Sequence, residues 1–307
     1  MPELPEVETT VKGLNQKVLK RTFVDVWSDW KKIVRLRSDF GGAAARQVKK
    51  PKDFEQFKKE IRNKKIKKIW RRAKNIIFDL SDGYSLLVHQ KMTGHLLYGN
   101  WKQENGIWIP EDKKSPLNDP YNRFLHIIFF FDNGAMMALS DARKFAKVEL
   151  HKTEELLNLK EFQSLGPEPL DKNFTFEKFK KVLENKKGKI KQVLMDQQVI
   201  SGIGNIYASE ILWWSKIHPE KSIAKLDDKE LKLLYQYIKK VLETAVKLGG
   251  ESFSDYRKPD GSKGDFDTER KAYKREGQKC SRCGTKIKRL KIGQRSAFFC
   301  PHCQILR

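Results

Sequence analysis

Four cysteines near the end of the chain have a spacing that suits a metal ion. They form two CxxC pairs, Cys280 with Cys283 and Cys300 with Cys303, and the 307 residues contain no other cysteine. Thiolates at this spacing bind Zn²⁺ tetrahedrally, and four of them leave no position open for a catalytic water. Because the chain starts without an export signal, we predict one structural Zn²⁺ rather than disulfides.

The N-terminus offers a second kind of chemistry. Pro2 follows Met1, and a small second residue normally permits removal of the initiator methionine. A freed Pro2 amine would be partly neutral near pH 7 and could attack an electrophilic carbon to form an iminium. Glu3 and Glu6 could move protons beside it. Taken alone, however, the segment favours a plain acidic helix start with proline at the first helical position.

The charge balance indicates a polyanionic partner. Lys plus Arg number 63 against 39 Asp plus Glu, a net charge of +24 with a pI near 9.7. Nucleic acid is the partner that such an excess favours, although basic faces are often only solvated. A membrane surface is the alternative polyanion, but no basic amphipathic helix with an apolar insertion face stands out, so no membrane partner is expected. No apolar run approaches the roughly 18 residues of a membrane span.

Hydrophobic periodicity predicts an α+β, multidomain chain. Residues 1–14 follow the helical period, and the region 20–150 consists of short apolar runs separated by turn signals, as in a β-sandwich. Glycine, proline and asparagine in 99–122 predict a loop. Two β-hairpins are expected, one pairing 75–80 with 84–88 and the other pairing 125–131 with 135–139.

The pattern becomes helical after residue 150. The glycine-containing break VISGIGN precedes one of the helices, so its backbone N–H groups could approach a phosphate closely. The polar residues of 251–279 indicate a mobile loop. The last segment, 278–307, contains eight Lys or Arg and no acid. The predicted helices are 174–183, 189–196, 205–216 and 227–248.

Several blocks, in this order, resemble the bacterial formamidopyrimidine-DNA glycosylase family. Together they span nearly the whole chain. They are MPELPEVETT, RRAKNIIFDL, HQKMTGHL, DARKFAKVEL, SLGPEPL, LMDQQVISGIGNIYASE, REGQKCSRCG and QRSAFFCPHC.

The resemblance implies both a fold and an activity. The fold would be an N-terminal catalytic β-sandwich (1–150), a helix–two-turns–helix domain (151–250) and a lesion-recognition loop with a zinc finger (251–307), with DNA in the cleft between them. The activity would be a bifunctional DNA glycosylase/AP lyase for 8-oxoguanine and formamidopyrimidines in base excision repair. It implies a cytoplasmic, nucleoid-associated bacterial monomer on double-stranded DNA, without a redox or nucleotide cofactor.

The family's catalytic roles map onto five residues. Pro2 would attack the sugar C1′, Glu3 would be the acid/base acting on the sugar ring, and Glu6 would orient the site. Lys74 matches the catalytic-turn lysine, although it is also one member of a basic run. Arg295, on the zinc hairpin, would contact phosphate and assist the later elimination.

The remaining matches concern the duplex. Met92, Arg143 and Phe145 would fill the gap left by a flipped-out nucleotide. For Met92 and Phe145 the residues alone favour core packing. Asn205 could instead be a helix cap, and the two roles are compatible. The other DNA contacts would be made by His126, Lys186, Lys191 and Asn205.

The chain departs from the family pattern near the expected wedge. Lys91 stands where the family has Gly, Ala142 and Ala146 replace a Pro and a Gly, Phe124 replaces a His, and 99–122 is longer than usual. These changes bear on the preference for the orphaned base. Two other functions stay open: an endonuclease VIII-like enzyme for oxidised pyrimidines, which the lid-like 252–270 argues against, and an inactive damage-binding protein, which Pro2, Glu3 and Lys74 argue against.

Overall fold

The chain divides into two units. The computed structural model describes residues 1–36, 46–47 and 50–306. The first unit comprises Met1–Gln163 and Gly249–Asp265, and the second comprises Ser164–Leu248 and Phe266–Arg307. The predicted α+β class, with a β-rich first part, a helical second part and a four-cysteine segment, is confirmed.

Helix α1 (Leu4–Val18) opens the first unit because Leu4, Val7 and Leu14 recur on one buried face. Glu3 is its N-cap, and a capping box joins Glu3 to Glu6. The prediction that Pro2 occupies the first helical position was therefore wrong, since the proline precedes the cap. The helix also continues four residues beyond the predicted end at 14.

Two sheets face each other in this unit, with strand orders β1-β10-β11-β7 and β3-β2-β12-β6-β5-β4. Inward-facing aliphatic and aromatic side chains of both sheets form one core, in which the Phe23 and Phe129 rings lie 5.5 Å apart. Both predicted hairpins are confirmed, as β5–β6 and β10–β11. The strands of the sandwich and of the hairpin between β7 and β10 are β1 (Phe23–Trp27), β2 (Val34–Leu36), β3 (Arg46–Gln47), β4 (Ile66–Arg72), β5 (Asn75–Leu80), β6 (Tyr84–His89), β7 (His95–Gly99), β8 (Trp101–Glu104), β9 (Ile107–Pro110), β10 (Leu125–Phe131), β11 (Met136–Ser140) and β12 (Lys147–Lys152).

The region 99–122 is more ordered than the sequence suggested. Strands β8 and β9 form a hairpin, and two short 3₁₀ turns follow at Pro116–Asn118 and Pro120–Arg123. Trp101 is only 2% exposed because it packs with Leu117 on the face of β10 that points away from the sandwich core. The loop prediction was wrong because this second apolar layer could not be seen in such short runs.

Residues 249–265 belong to the first unit and pack against it. Tyr256 and Arg257 are 5% and 1% exposed, and each makes side-chain hydrogen bonds. The sequence predicts a polar, mobile loop over 251–279, but Tyr256 and Arg257 within it are buried and anchor the segment. The first unit also contains α2 (Pro51–Ile61), α3 (Thr153–Leu157) and α4 (Lys160–Gln163).

The second unit contains the four predicted helices, each a little shorter than expected. Thr175 caps the first of them, and Asp227 forms a capping box with Glu230 at the start of the last. A hairpin of β13 (Lys288–Ile292) and β14 (Arg295–Phe299) completes the unit. Among the described residues, no helix is long and apolar enough to cross a membrane. The helices are α5 (Phe176–Leu183), α6 (Ile190–Met195), α7 (Asn205–Trp214) and α8 (Asp228–Lys247).

Candidate functional site

The start of α1 brings two buried carboxyl groups together. Glu3 and Glu6 are each 1% exposed, and Pro2 is also buried. The Glu6 carboxylate accepts the backbone N–H of Glu3 at 2.7 Å and that of Glu251 at 2.8 Å. Gly250, with φ +83°, permits this contact, since a Cβ there would lie 2.8 Å from Glu6 Oε1. The Glu6 side chain therefore fixes the backbone on which Pro2 and Glu3 stand.

Lys74 lies in the turn between β4 and β5 and is 7% exposed. The preceding Ala73 takes the left-handed conformation, with φ +53°, which lets the chain reverse in a tight turn. Burial lowers the pKa of His89 to about 3, and the charges of Lys91, Lys74 and Lys147 add to the effect. His89 is therefore neutral at pH 7, and its Nδ1 accepts the Lys91 N–H at 3.0 Å. The charges of the three lysines thus act together on one buried imidazole in this part of the unit.

The predicted wedge residues lie in two adjacent turns that share a buried acid. Asp141 is fully buried and accepts hydrogen bonds from the Thr93 hydroxyl and from the backbone N–H groups of Arg143 and Ala146. Phe145 is 50% exposed, and the Arg143 guanidinium carbon lies 4.6 Å from its ring centroid. Core packing is therefore excluded for Phe145. Met92 lies one residue before Thr93 and is half-buried.

His126 lies at the start of β10 and is 7% exposed. Its Nδ1 lies 2.9 Å from a carboxylate oxygen of Asp29, and its backbone carbonyl accepts the Ser28 hydroxyl. Asp29 thus orients the ring, and a DNA contact by His126 stays a prediction.

Lys191, which the sequence predicts to contact DNA, is a buried cation. It is 1% exposed, and its Nζ donates to Ser209 Oγ at 3.0 Å and to the Ser296 carbonyl at 2.8 Å. The side chain thereby ties α6 to α7 and to β14, so the interpretation as an open phosphate contact needs correction. Lys186, in contrast, is exposed.

Arg295 is exposed at the beginning of β14. With Lys191, Gln192 and Met195 it lines a cavity of about 210 Å³ within the second unit. Lys191 supports the wall of this cavity through Ser296, the residue next to Arg295.

Asn205 is the first residue of α7, and Gly204 is the N-cap. The alternative that Asn205 caps the helix was therefore wrong. Its side-chain oxygen is buried and has no hydrogen-bond partner within the described part of the chain. The amide thus lies at a helix N-terminus, which is the end that attracts anions.

The four cysteines meet the geometric requirement for zinc. Their Sγ atoms all lie within 4.8 Å of one another. A Zn–S distance of about 2.3 Å places tetrahedral sulfurs roughly 3.8 Å apart, so small shifts would seat the ion. Trp213, Ile287 and Phe298 pack around the cluster. The fit supports a structural Zn²⁺ that orders the β13–β14 hairpin and hence Arg295.

Sequence reasoning missed two buried acids that hold loops by accepting backbone N–H groups. One is Asp141, described above. The other is Glu210 of α7, which accepts the N–H groups of Lys271, Ala272 and Tyr273 at 2.7–2.9 Å. Burial raises the pKa of Glu210. For Glu210, the available signal was that it is the one acid in a mostly apolar helix.

Three models of known protein families match most of the chain. The formamidopyrimidine-DNA glycosylase N-terminal domain matches residues 1–148, the corresponding H2TH domain matches 165–257, and the zinc finger found in FPG and IleRS matches 277–305. Together with the four-thiol cluster, these matches define a zinc-finger protein of the DNA glycosylase class. The chain belongs to the formamidopyrimidine-DNA glycosylase family.

Full-length relatives support the assignment. The enzymes named formamidopyrimidine-DNA glycosylase from Ligilactobacillus salivarius and Pelotomaculum thermopropionicum are 35% and 37% identical over at least 99% of both chains. A solved complex of Lactococcus lactis Fpg with abasic-site DNA is 33% identical, with a TM-score of 0.80 and 99% coverage of both chains. A complex of the same bacterium's protein with Fapy-dG DNA has a TM-score of 0.80 at 32% identity, covering 99% of this chain and 100% of that one.

Proposed function

We propose that this chain is a bifunctional DNA glycosylase and AP lyase that excises oxidised purines from duplex DNA in base excision repair. The observation that carries the proposal is the buried start of α1, where Glu6 holds the backbone of Pro2 and Glu3 in one fixed position. Relatives named formamidopyrimidine-DNA glycosylase over the whole length, and a neighbour bound to Fapy-dG DNA, support the substrate class.

The chemistry follows from these groups. After Met1 is removed, the neutral Pro2 amine attacks C1′, the glycosidic bond breaks with its electrons going to the base, and protonation of the ring oxygen by Glu3 opens the sugar. The resulting iminium acidifies C2′–H. Loss of that proton expels the 3′ phosphate by β-elimination, and a further elimination expels the 5′ phosphate. Glu6 acts by orientation, since its carboxylate already accepts two backbone N–H groups.

Duplex contacts divide between the two units. In the first, Met92, Arg143 and Phe145 would occupy the gap beside a flipped nucleotide, and Lys74 would take the role of the catalytic-turn lysine. In the second, Lys186, Asn205 and Arg295 would contact phosphates, and Lys191 would support Arg295 through Ser296. His126, also in the first unit, would contact DNA with its ring oriented by Asp29.

The division into a catalytic part (1–150), a helix–two-turns–helix part (151–250) and a final lesion-recognition and zinc-finger part (251–307) is part of the proposal. The family models that match 1–148 and 277–305 support the first and last parts, and the H2TH model, which matches 165–257, extends seven residues into the third. We further propose a monomer that works in the cytoplasm on the chromosome. The bacterial origin of the relatives supports a bacterial chromosome as the target.

A panel of duplexes tests the substrate class. Wild-type protein should nick 8-oxoguanine:cytosine and formamidopyrimidine:cytosine duplexes faster than a thymine glycol duplex, and should also cleave an abasic site. Glu3→Gln should lose excision on 8-oxoguanine, since the ring-oxygen proton is then missing. Faster cleavage of thymine glycol would shift the assignment to oxidised pyrimidines. Binding with a steep salt dependence but no cleavage of any duplex would indicate a damage-binding protein.

A further inference from the structure

The segment 249–265 carries a short loop, 252–255, whose tip exposes an aromatic ring. Phe253 is 52% exposed. The residues before the loop are anchored on the candidate site, because the Glu251 N–H donates to Glu6 Oε1 at 2.8 Å. Directly after the loop, the Tyr256 hydroxyl donates to the Glu6 carbonyl at 3.1 Å. Both ends of the loop are thus tied to the residue that orients Pro2 and Glu3.

Arg257 forms a further anchor. Its side chain is 1% exposed, and Nη2 lies 3.0 Å from Asp119 Oδ1. Nη1 donates to the carbonyls of Ser254 at 2.7 Å and Tyr256 at 2.8 Å, and the guanidinium carbon lies 4.6 Å from the centroid of the Tyr121 ring. A buried guanidinium is tolerated only when it is paired in this way. Arg257 therefore holds the backbone of the loop itself, at Ser254.

The partners of Arg257 come from the stretch between β9 and β10. Asp119 and Tyr121 follow the β8–β9 hairpin, and the neighbouring Asn122 donates to the Gly261 carbonyl at 3.1 Å. Gly261 lies directly on this stretch, since a Cβ there would approach the Leu117 backbone nitrogen to 2.6 Å. The region 115–123 thus forms a platform under the second half of the 249–265 segment.

We propose that Arg257, held by Asp119 and Tyr121, is a positioning residue that fixes the 252–255 loop for recognition of the damaged base. This inference rests on the proposed function. An exposed aromatic side chain on a fixed loop can stack on a base, because every base presents a π-face. Phe253 is the residue of the loop that does so. A base-recognition loop contributes only while the base is present, so it affects base excision and not cleavage of an abasic site.

The test compares single-turnover rates on two duplexes that differ only in the presence of the base. For Arg257→Leu, the rate on 8-oxoguanine:cytosine should fall about 10-fold or more, because a displacement of the order of 1 Å can cost up to about 100-fold in rate. The rate on the matching abasic duplex should stay within about 2-fold. Asp119→Asn should show the same selectivity, and the double variant should lose little more than either single variant, since the two residues act as one pair.

Two further variants distinguish a loss of loop positioning from a general loss of the protein fold. Phe253→Ala changes an exposed side chain and should be as selective as Arg257→Leu, even if the latter fails to fold. Lys58→Leu, which removes the cation of a surface pair with Asp25, is the matched control and should leave both rates unchanged. Arg257→Lys keeps the charge but cannot make all three hydrogen bonds, and should be intermediate.

The outcomes are distinct. Selective loss in Phe253→Ala and Asp119→Asn supports the inference. Equal rates to wild type on both duplexes, or equal losses on both, would overturn it while leaving the proposed function in place. A wild-type protein that cleaves neither duplex would overturn the proposed function and this inference with it.

Discussion

The Thr93 hydroxyl donates a hydrogen bond to the buried carboxylate of Asp141, and this bond joins the turn that carries Met92 to the loop that carries Arg143 and Phe145. Asp141 also accepts the Ala146 N–H at 2.7 Å. The loop therefore closes around Asp141 with alanine at both positions 142 and 146. Lys144, with φ +57°, supplies the left-handed turn.

Thr93→Val removes this hydroxyl while keeping the shape of the side chain. Because a hydrogen bond to a charged group contributes about 1.5–3 kcal/mol, we expect the Kd for an uncleavable abasic-analogue duplex to rise about 10-fold. Fluorescence titration measures it, with Thr244→Val on α8 as the control. An affinity equal to wild type would show that the two turns do not act together on DNA.

Lys186 and Lys191 form a matched pair because one is exposed and the other buried. Lys186→Met should reduce the slope of log K against log salt by about 0.9 and leave Tm unchanged. Lys191→Met should instead lower Tm by several degrees, because it leaves Ser209 Oγ and the Ser296 carbonyl without their donor. The reverse pattern in salt titrations and thermal unfolding would restore Lys191 as a direct phosphate contact.

His89 should make the protein sensitive to acid. Its pKa is about 3 in the folded state, below the ordinary value of 6.5, so the unfolded chain binds the proton more readily. The contribution of neutral His89 to the free energy of unfolding is present in full above about pH 6.5. It is lost on acidification, by at most about 1.4 kcal/mol per pH unit. His89→Asn keeps an acceptor for Lys91, and its urea unfolding should depend less on pH between 6.5 and 4.5. Identical slopes for variant and wild type would contradict this account.

Removal of zinc should cost DNA affinity, because the β13–β14 hairpin that presents Arg295 depends on the four thiolates for its fold. Metal-free protein, verified by elemental analysis, should bind the abasic-analogue duplex at least about 10-fold more weakly and recover on addition of Zn²⁺. Undiminished binding would show that the finger is dispensable.

The sequence was most informative where the determinants are local. The turns at 81–83 and 132–134 located two hairpins, the helical periods located α5 to α8, and the CxxC pairs located the metal cluster. It failed where a partner is distant along the chain. Lysine is a residue type that usually lies on the surface, yet the Lys191 ammonium donates to a carbonyl 105 residues away in β14. Arg257 pairs with Asp119 across the fold, and no periodicity reveals such a contact.

The central claim is that the Pro2 amine is the nucleophile, and borohydride trapping tests it most directly. Incubation with an 8-oxoguanine:cytosine duplex and sodium borohydride should give a covalent protein–DNA adduct that maps to the N-terminal peptide. A protein that retains Met1 should bind DNA but give no adduct, because its Pro2 nitrogen is then part of an amide. An adduct that maps to Lys74, or equal trapping by the Met1-retaining protein, would contradict the account.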